Sequence, residues 1–394
     1  MAKSKLISPL IITTIITAAI VTCASAVGTT YNILSYGAVA DGKSDANKAF
    51  QAAWNAACAS AVPSVVVVPN GRFLVSSVTF EGSSCKSKSI TFQMSGTLVA
   101  PQNYKLDKWI SFHMANGLSI IGGTLDAQGA PLWACKKSGK GCGDGATALS
   151  IYHSNNIVVS GVSFVNSQKF NFLVYQCDNA KIQGVKITAP GDSPNTDGIH
   201  VEMSSRVTIT NSVIGTGDDC ISIGHGNSDL TIEGTKCGPG HGISIGSLGW
   251  TAQEAGVQNV VVKSSTFVKT QNGFRIKTWA RPSSAFVSNV VFSGAVMDGV
   301  QNPILIDQDY CPHGTNCPNQ SSGVKISNVK FQGIRGTSSA AVAVKLDCSR
   351  TKPCTGINLD NVNLMYNGRE AQSSCVNAKG LESGLVKPAG CALA

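Results

Sequence analysis

The sequence predicts an all-β chain wound as a right-handed parallel β-helix, a solenoid closed at its N-terminal end by a short helix. Three observations carry that expectation. Charged residues are 13% of the chain, against about 25% in an ordinary domain, and glycine stands at 41 of 394 positions. Such a composition, rich also in Val, Ile, Ser, Thr and Asn, favours strands and tight turns over helices. Second, one pattern returns along the chain, beginning at Asn155 (NNIVVSGV), Asp178 (DNAKIQGV), Ser205 (SRVTITNS), Ser228 (SDLTIEGT), Gln258 (QNVVVKSS), Ser288 (SNVVFSGA), Ser322 (SGVKISNV) and Thr355 (TGINLDNV). These starts lie 23 to 34 residues apart, and each unit goes on to a further stretch such as GIHV, CISI, GISI, FRIK or ILID. Third, chemically reactive residues recur in one slot of that pattern.

The elements follow in order. The N-terminus, MAKSKLISPLIITTIITAAIVTCASAVGTT, has a basic start at Lys3 and Lys5, an apolar run from Leu10 to Val21 and a small-residue site at Ala24-Ser25-Ala26. It reads as a secretory signal peptide cut after Ala26, which leaves residues 27–394 as one domain with no linker. The apolar run is too short to span a bilayer comfortably, so no membrane partner is expected once the leader is gone. GKSDANKAFQAAWNAAC then reads as a helix, capped by Ser44 or Asp45, with Phe50 and Trp54 on one side. It should cover the open end of the solenoid, since an exposed strand edge invites aggregation. SVVVVPNGRFLV, KSITFQMSGTLV and GLSIIGGTLD are weaker copies of the repeat. Short β-branched runs with period-2 alternation are strands. A unit of strands without a helix buries its apolar face only by stacking on copies of itself. A sandwich would not return its strands in one order at one offset so often.

Export makes the cysteines readable. Cys23 leaves with the leader, and 13 remain. Close pairs stand at Cys135 and Cys142, Cys220 and Cys237, Cys311 and Cys317, Cys348 and Cys354, and Cys375 and Cys391. Cys58 and Cys85 could make a sixth bridge and Cys177 is left over as a buried free thiol, although spacing does not prove connectivity. The scattered pairs lack the clustered CxxC spacing of a zinc site. Asn319-Gln320-Ser321 is a glycosylation sequon. The net charge is +9, falling to +7 without Lys3 and Lys5. Without basic blocks or basic runs rich in aromatics, nucleic acid is not an expected partner. A mild positive excess suits an acidic polymer, and a basic surface with no partner fits it equally well.

Register decides what sits beside what. Asp197 directly precedes GIHV, Asp219 precedes CISI and His241 precedes GISI, at steps of 22 residues. Gly273 is expected in the same slot before FRIK, with Arg275 and Lys277 on one side of that strand. Equivalent residues on stacked coils are about 4.8 Å apart, so Asp197, Asp219 and His241 should form a ladder. Asp218 joins it only if the chain turns sharply after Gly217. His225 lies beyond the end of its strand and reads as a solvated loop histidine. Two carboxylates about 5 Å apart at an effective dielectric near 20 repel by roughly 3 kcal/mol. One of them should therefore hold its proton well above the usual acid range. A protonated acid beside ionised partners is what glycoside hydrolysis requires. Turn-closing aspartates and a calcium site are the competing readings. The neighbouring Arg275 and Lys277 argue against a cation and for an anionic substrate.

Four motifs, NTD at 195–197, GDD at 217–219, GHG at 240–242 and RIK at 275–277, stand in order in one register. Here the sequence resembles the polygalacturonases, the pectin hydrolases of glycoside hydrolase family 28, from about Tyr31 onward. SPNTDGIH and CGPGHGISIGSLG are similar to the plant members. The resemblance implies a secreted, cell-wall hydrolase of α-1,4-galacturonan that inverts at the anomeric carbon. It implies Asp218 as general acid, Asp197 and Asp219 as the pair that positions and deprotonates water, and His241 as the group that tunes the acid. Arg275 and Lys277 would hold a galacturonate carboxylate, and Asn195 and Tyr310 would make further substrate contacts. No cofactor or metal is implied, and a monomer acting on pectin is expected. Three alternatives stand beside it: a hydrolase of rhamnose- or xylose-decorated pectin on the same fold, a calcium-dependent pectate lyase on that fold, and a non-hydrolytic pectin-binding wall protein. The segments Trp133–Gly145 and Cys311–Gln320 are expected to shape the ends of the cleft.

Overall fold

The structure, a computed structural model, describes residues 28–102, 104–312, 314–389 and 391. The expected leader, residues 1–26, lies outside the described residues. The repeats become three faces of a right-handed parallel β-helix. One face stacks the strands Asn155–Ser160, Asp178–Gln183, Ser205–Thr210, Ser228–Glu233, Val257–Lys263, Phe286–Ser293 and Lys325–Gln332, each pairing parallel with the next. A second stacks short strands from Ser163–Val165 through Lys186–Thr188, Val213–Gly215, Lys236–Cys237 and Thr266–Val268 to Val296–Val300. The third is a sheet of eleven described strands. It includes Phe172–Tyr175, Ile199–Glu202, Ile221–Ile223, Ile243–Leu248, Asn272–Trp279 and Asn302–Tyr310. This third sheet carries the site.

The repeat has a local cause as well as a packing one. The second residue of most units adopts a left-handed backbone: Asn156, Asn179, Arg206, Asp229, Asn259 and Asn289 all have φ between 52° and 58°. Asn and Asp tolerate that region better than other side chains with a Cβ. Their amides also stack from coil to coil, with Asn179 Nδ2 donating to Asn156 Oδ1 at 2.7 Å and Asn289 Nδ2 to Asn259 Oδ1 at 3.2 Å. Arg206 has the same backbone without the amide. The unit expected at Ser322 begins instead at Ser327, the register partner of Ser288 and Thr355, with Asn328 at φ 55° as its second residue.

Inward residues fill the solenoid. Phe274 stacks on Phe292 at 4.6 Å and Phe292 on Phe331 at 5.2 Å. The N-terminal helix runs Asn47–Ala59 and starts later than the sequence suggested. Ala46 takes the cap position, with no side-chain cap bond. Asp45 still accepts from the Asn47 N–H at 3.0 Å, while the Ser44 hydroxyl donates to Asp41. Its buried side carries Phe50 and Trp54, and Trp54 meets Phe80, Phe92 and Phe112 with centroids 5.4 to 5.9 Å away. The helix therefore plugs the end of the core.

A second helix, Ala130–Lys137, was not anticipated, because eight residues with Pro131 in the first turn show little periodicity. Lys137 pairs with Asp192, which ties this helix to the loop carrying Asn195. All six proposed cysteine pairs are bridged. Cys177 is free and buried, and burial pushes its thiol up to about 11. A buried, protonated thiol is a poor nucleophile. We expect native protein to resist iodoacetamide at pH 8 and the unreduced, urea-unfolded chain to take up one adduct, read by mass spectrometry.

Candidate active site

Strand pairing sets the ladder. Ile199, Ile221, Ile243 and Phe274 are successive partners in the third sheet. Asp197, Asp219 and His241 each stand two residues earlier and share one file. Asn272 continues the file, and Gly273 does not. The expectation placed that slot one residue too late, because GFRI and not FRIK aligns with GISI. Asn272 Nδ2 donates to the His241 carbonyl at 3.1 Å and so holds the histidine's backbone.

Asp218 joins the cluster through a tight bend. The Asp219 N–H donates to Asp218 Oδ1 at 2.8 Å, and the Gly217 N–H donates to Thr196 Oγ1 at 3.1 Å. Glycine is required at 217 by close approach: a Cβ there would lie 2.1 Å from the Ser193 carbonyl oxygen. The Asp218 side chain is one-fifth exposed. Its Oδ1 lies 3.1 Å from His241 Nδ1, and Asn195 Nδ2 reaches its Oδ2 at 3.5 Å.

A second file runs beside the first: His200, Ser222, Ser244 and Arg275 are register partners. The two files interlock. Ser222 Oγ is 2.6 Å from Asp197 Oδ2, and Ser244 Oγ donates to Asp219 Oδ1 at 2.8 Å. Arg275 donates through Nε to Ser244 at 3.0 Å and through its terminal nitrogen to Asp219 Oδ1 at 2.6 Å. Lys277 Nζ takes Asp219 Oδ2 at 2.8 Å. Asp219, Arg275 and Lys277 are all buried.

This arrangement separates the carboxylates. Burial would push Asp219 up, but the charges of Lys277 and Arg275 and the bonds from Lys277 and Ser244 hold it down at about 2. Burial pushes Asp197 up to about 8, helped by the charges of Asp218 and Asp219 and opposed by the Ser222 hydrogen bond and Lys277. The sequence anticipated one proton-holding acid; the buried Asp197 is that acid in the free protein. A raised carboxyl stabilises the fold fully below its unfolded value and loses that contribution as pH rises to about 8. We therefore expect Asp197→Asn, which mimics the protonated form, to raise the Tm at pH 8 by roughly 5 °C or more. The gain should vanish near pH 4, as followed by calorimetry.

The groove above these files encloses about 280 Å³. Its lining includes Asn195, Asp197, Asp218, Asp219, Lys277 and Tyr310. Arg275 lies beneath it, spent on Asp219 and Ser244. Phe170, His200, Glu202 and Ser222 line it too, which the sequence reading passed over, and so does His225, which it set aside. The serines and His200 could have been found by continuing the 22-residue step three positions past each ladder residue. His225 is not a detached loop residue: its Nδ1 is 3.1 Å from Glu202 Oε1. Beyond Tyr310 an aromatic wall continues, with Tyr310 to Trp279 at 5.2 Å and Trp279 to Trp250 at 4.8 Å. Trp250 is 54% exposed, and the Arg281 guanidinium lies 4.4 Å from its ring centre.

Asp218, Asp219 and His241 offer ligand atoms within 4.8 Å of one another. The set does not suit a cation well, because Arg275 and Lys277 already supply the positive charge at Asp219.

The site is thus a groove above stacked strands of a parallel β-helix, lined by three aspartates and a lysine. The chain belongs to glycosyl hydrolases family 28, whose profile matches residues 58–391. It is 55% identical over 367 residues to a polygalacturonase of Prunus persica, covering 92% of this chain and 93% of that one. It is 43% identical to an exopolygalacturonase of Platanus acerifolia, covering 92% and 97%. The solved endo-xylogalacturonan hydrolase from Aspergillus tubingensis shares the fold, with a TM-score of 0.79 at 22% identity, over 90% of this chain and 99% of that one. Family membership makes the protein a hydrolase and sets the lyase alternative aside.

Proposed function

We propose that this protein is a secreted polygalacturonase that cleaves α-1,4-galacturonosyl linkages of pectin by a single inverting displacement. The observation that carries the reading is the division of labour among the acids: Asp219 clamped by two cations, Asp197 pushed up to about 8, and Asp218 at the groove surface. Asp218 is the general acid that protonates the leaving oxygen, with His241 and Asn195 setting its orientation. A carboxylate held at about 2 is a weak base. Asp219 therefore orients the water and anchors Arg275 and Lys277, and Asp197, once ionised, takes the proton. Lys277 and Tyr310 face the groove, where an anionic sugar meets a cation and a ring. Nucleophilic water and leaving group then stand on opposite sides of the sugar, as inversion requires. The bridged cysteines and the expected leader support action outside the cell, in the wall.

The test is incubation with de-esterified polygalacturonan, with reducing ends counted and the anomer of the first product read by NMR. Rapid release of the inverted anomer supports the reading. Tight binding without turnover would favour the non-hydrolytic wall protein.

The aromatic wall extends the same reading to longer chains. Glu254 accepts from the backbone N–H groups of Gly249 and Trp250 at 2.6 and 3.1 Å, which fixes the turn that presents Trp250. A ring paired with a cation suits a uronate: the sugar face stacks and its carboxylate meets Arg281. We expect Trp250→Ala to raise KM about tenfold for polymer and to leave kcat for the shortest cleavable oligomer unchanged. An equal effect on both substrates would remove Trp250 from the binding surface.

A further inference from the structure

His200 and Ser222 lie directly behind Asp197, and their geometry sets a proton-counting problem. Ser222 Oγ is 2.6 Å from Asp197 Oδ2 and 2.7 Å from His200 Nδ1. One hydroxyl proton cannot fill both contacts, so a second proton must sit on Asp197 or on His200 Nδ1. On the far side, His200 Nε2 is 3.1 Å from Glu202 Oε2. Glu202 has no other role in the cluster of acids. Burial would push its carboxyl up, but the hydrogen bond and charge of His200, and then the charge of His225, hold it down and ionised. An ionised Glu202 requires a proton on Nε2.

With the Ser222 hydroxyl proton on the line between Asp197 and His200, two arrangements satisfy every contact. In the first, Asp197 O–H donates to Ser222 Oγ, Ser222 O–H donates to a neutral His200 Nδ1, and Nε2–H donates to Glu202. In the second, Ser222 O–H donates to ionised Asp197, Nδ1–H donates to Ser222, and His200 is an imidazolium held by Glu202. They differ by two concerted transfers: the Asp197 proton passes to Ser222 Oγ as the Ser222 proton passes to Nδ1. No proton is gained or lost, and no covalent bond between heavy atoms changes.

We propose that Glu202, His200 and Ser222 form a proton relay behind Asp197, which moves that acid's proton to the imidazole and frees the carboxylate to act as base. The proposal deepens the hydrolase reading and rests on Asp197 as the base. It answers a difficulty in that reading, for a base that holds its proton to about 8 is unavailable in acidic or neutral solution. Transfer to His200 ionises Asp197 beside Asp218 and Asp219 and offsets that repulsion with an imidazolium one serine hydroxyl away. Of the groups facing the relay, Glu202 and Lys277 favour the charged form, and Asp218 and Asp219 oppose it. Asp218, Asp219 and Lys277 face Asp197, Glu202 faces His200 with His225 behind it, and the Phe170 ring stacks on His200 at 4.8 Å. Room for the pair comes from Gly224, where a Cβ would lie 3.0 Å from Glu202 Cγ and 3.3 Å from His200 Nε2. His200 and Glu202 are positioning residues: they act through Asp197.

The test has two arms. In the first, ¹⁵N-histidine NMR reads the tautomer of His200, assigned by loss of its signals in His200→Gln. Nε2 should carry a proton at every pH at which the fold persists; a neutral ring protonated at Nδ1 overturns the relay. This arm needs no activity, so it stands even if the wild-type protein fails to cleave galacturonan and the functional reading falls. In the second, Ser222→Ala and His200→Gln are assayed on polygalacturonan across pH. Each should lower kcat about tenfold to a hundredfold with KM within about twofold. Each should also move the acid limb of the kcat profile to higher pH, because Asp197 then ionises only against unrelieved repulsion. Ser222→Ala removes one oxygen and keeps the strand, and its Tm reports folding. Folded variants whose acid limb stays in place overturn the proposal.

Discussion

Asp218→Asn is expected to abolish hydrolysis, with reducing-end release from polygalacturonan falling about 1,000-fold or more. The reasoning runs from the local backbone outward. Asp218 shares no register position with the ladder; it reaches the groove because the Gly217 bend brings its backbone against Ser193. Its carboxyl is therefore the exposed acid of the set, while Asp197 and Asp219 are buried in it. An amide fits the same space and still accepts the Asp219 N–H, but it cannot deliver a proton to a leaving oxygen. The loss should fall on kcat, since Tyr310 and Lys277, the proposed sugar contacts in the groove lining, are untouched. The Tm should be equal or higher than wild type, because one charge repelling Asp197 has been removed. A folded Asp218→Asn protein with near-normal rate would end the assignment of the acid.

Arg275→Met should show the largest effect on stability. Asp219 is fully enclosed, and two of the three hydrogen bonds to its carboxylate come from Arg275 and from the serine that Arg275 holds. Removing the guanidinium leaves a buried carboxylate with one cation and a loosened serine. Breaking a buried ion pair from one side costs about 3–5 kcal/mol. The pH dependence follows from the sign of the Asp219 shift. A carboxyl held at about 2 contributes stability above its unfolded value near 4, and that contribution is lost as pH falls through about 2. Without Arg275 the carboxyl rises, so the acid edge of the Tm profile should move to higher pH. Lys277→Met should act in the same direction and, because Lys277 also lines the groove, should raise KM as well. An Arg275→Met protein that keeps both the wild-type Tm at pH 7 and the wild-type acid edge would refute the clamp.

Much of this molecule was legible in one dimension because a β-helix is nearly one-dimensional. Each coil contacts only its neighbours, so a constant step in sequence becomes a constant step in space. That is why Asp197, Asp219 and His241 could be put in one file from spacing alone, and why the cysteine pairs, which are local, came out as expected. The errors came where the step changes. The slot before FRIK was misread by one residue because Asn272-Gly273 looks like a loop end in sequence. The Ala130–Lys137 helix has too few turns to show a period, and His225 was read as a bystander because Glu202, its partner, belongs to the coil before it.

The sequence by itself determined the winding, the order of the strands and the file in which the acids stand, since these follow from period and composition. Only the tertiary structure decided how the charges are shared. Arg275 and Lys277 reach back across a neighbouring strand to Asp219, and His200 reaches Asp197 through Ser222. Which acid keeps a proton depends on burial and on distances of a few ångströms between coils, and no spacing along the chain encodes those.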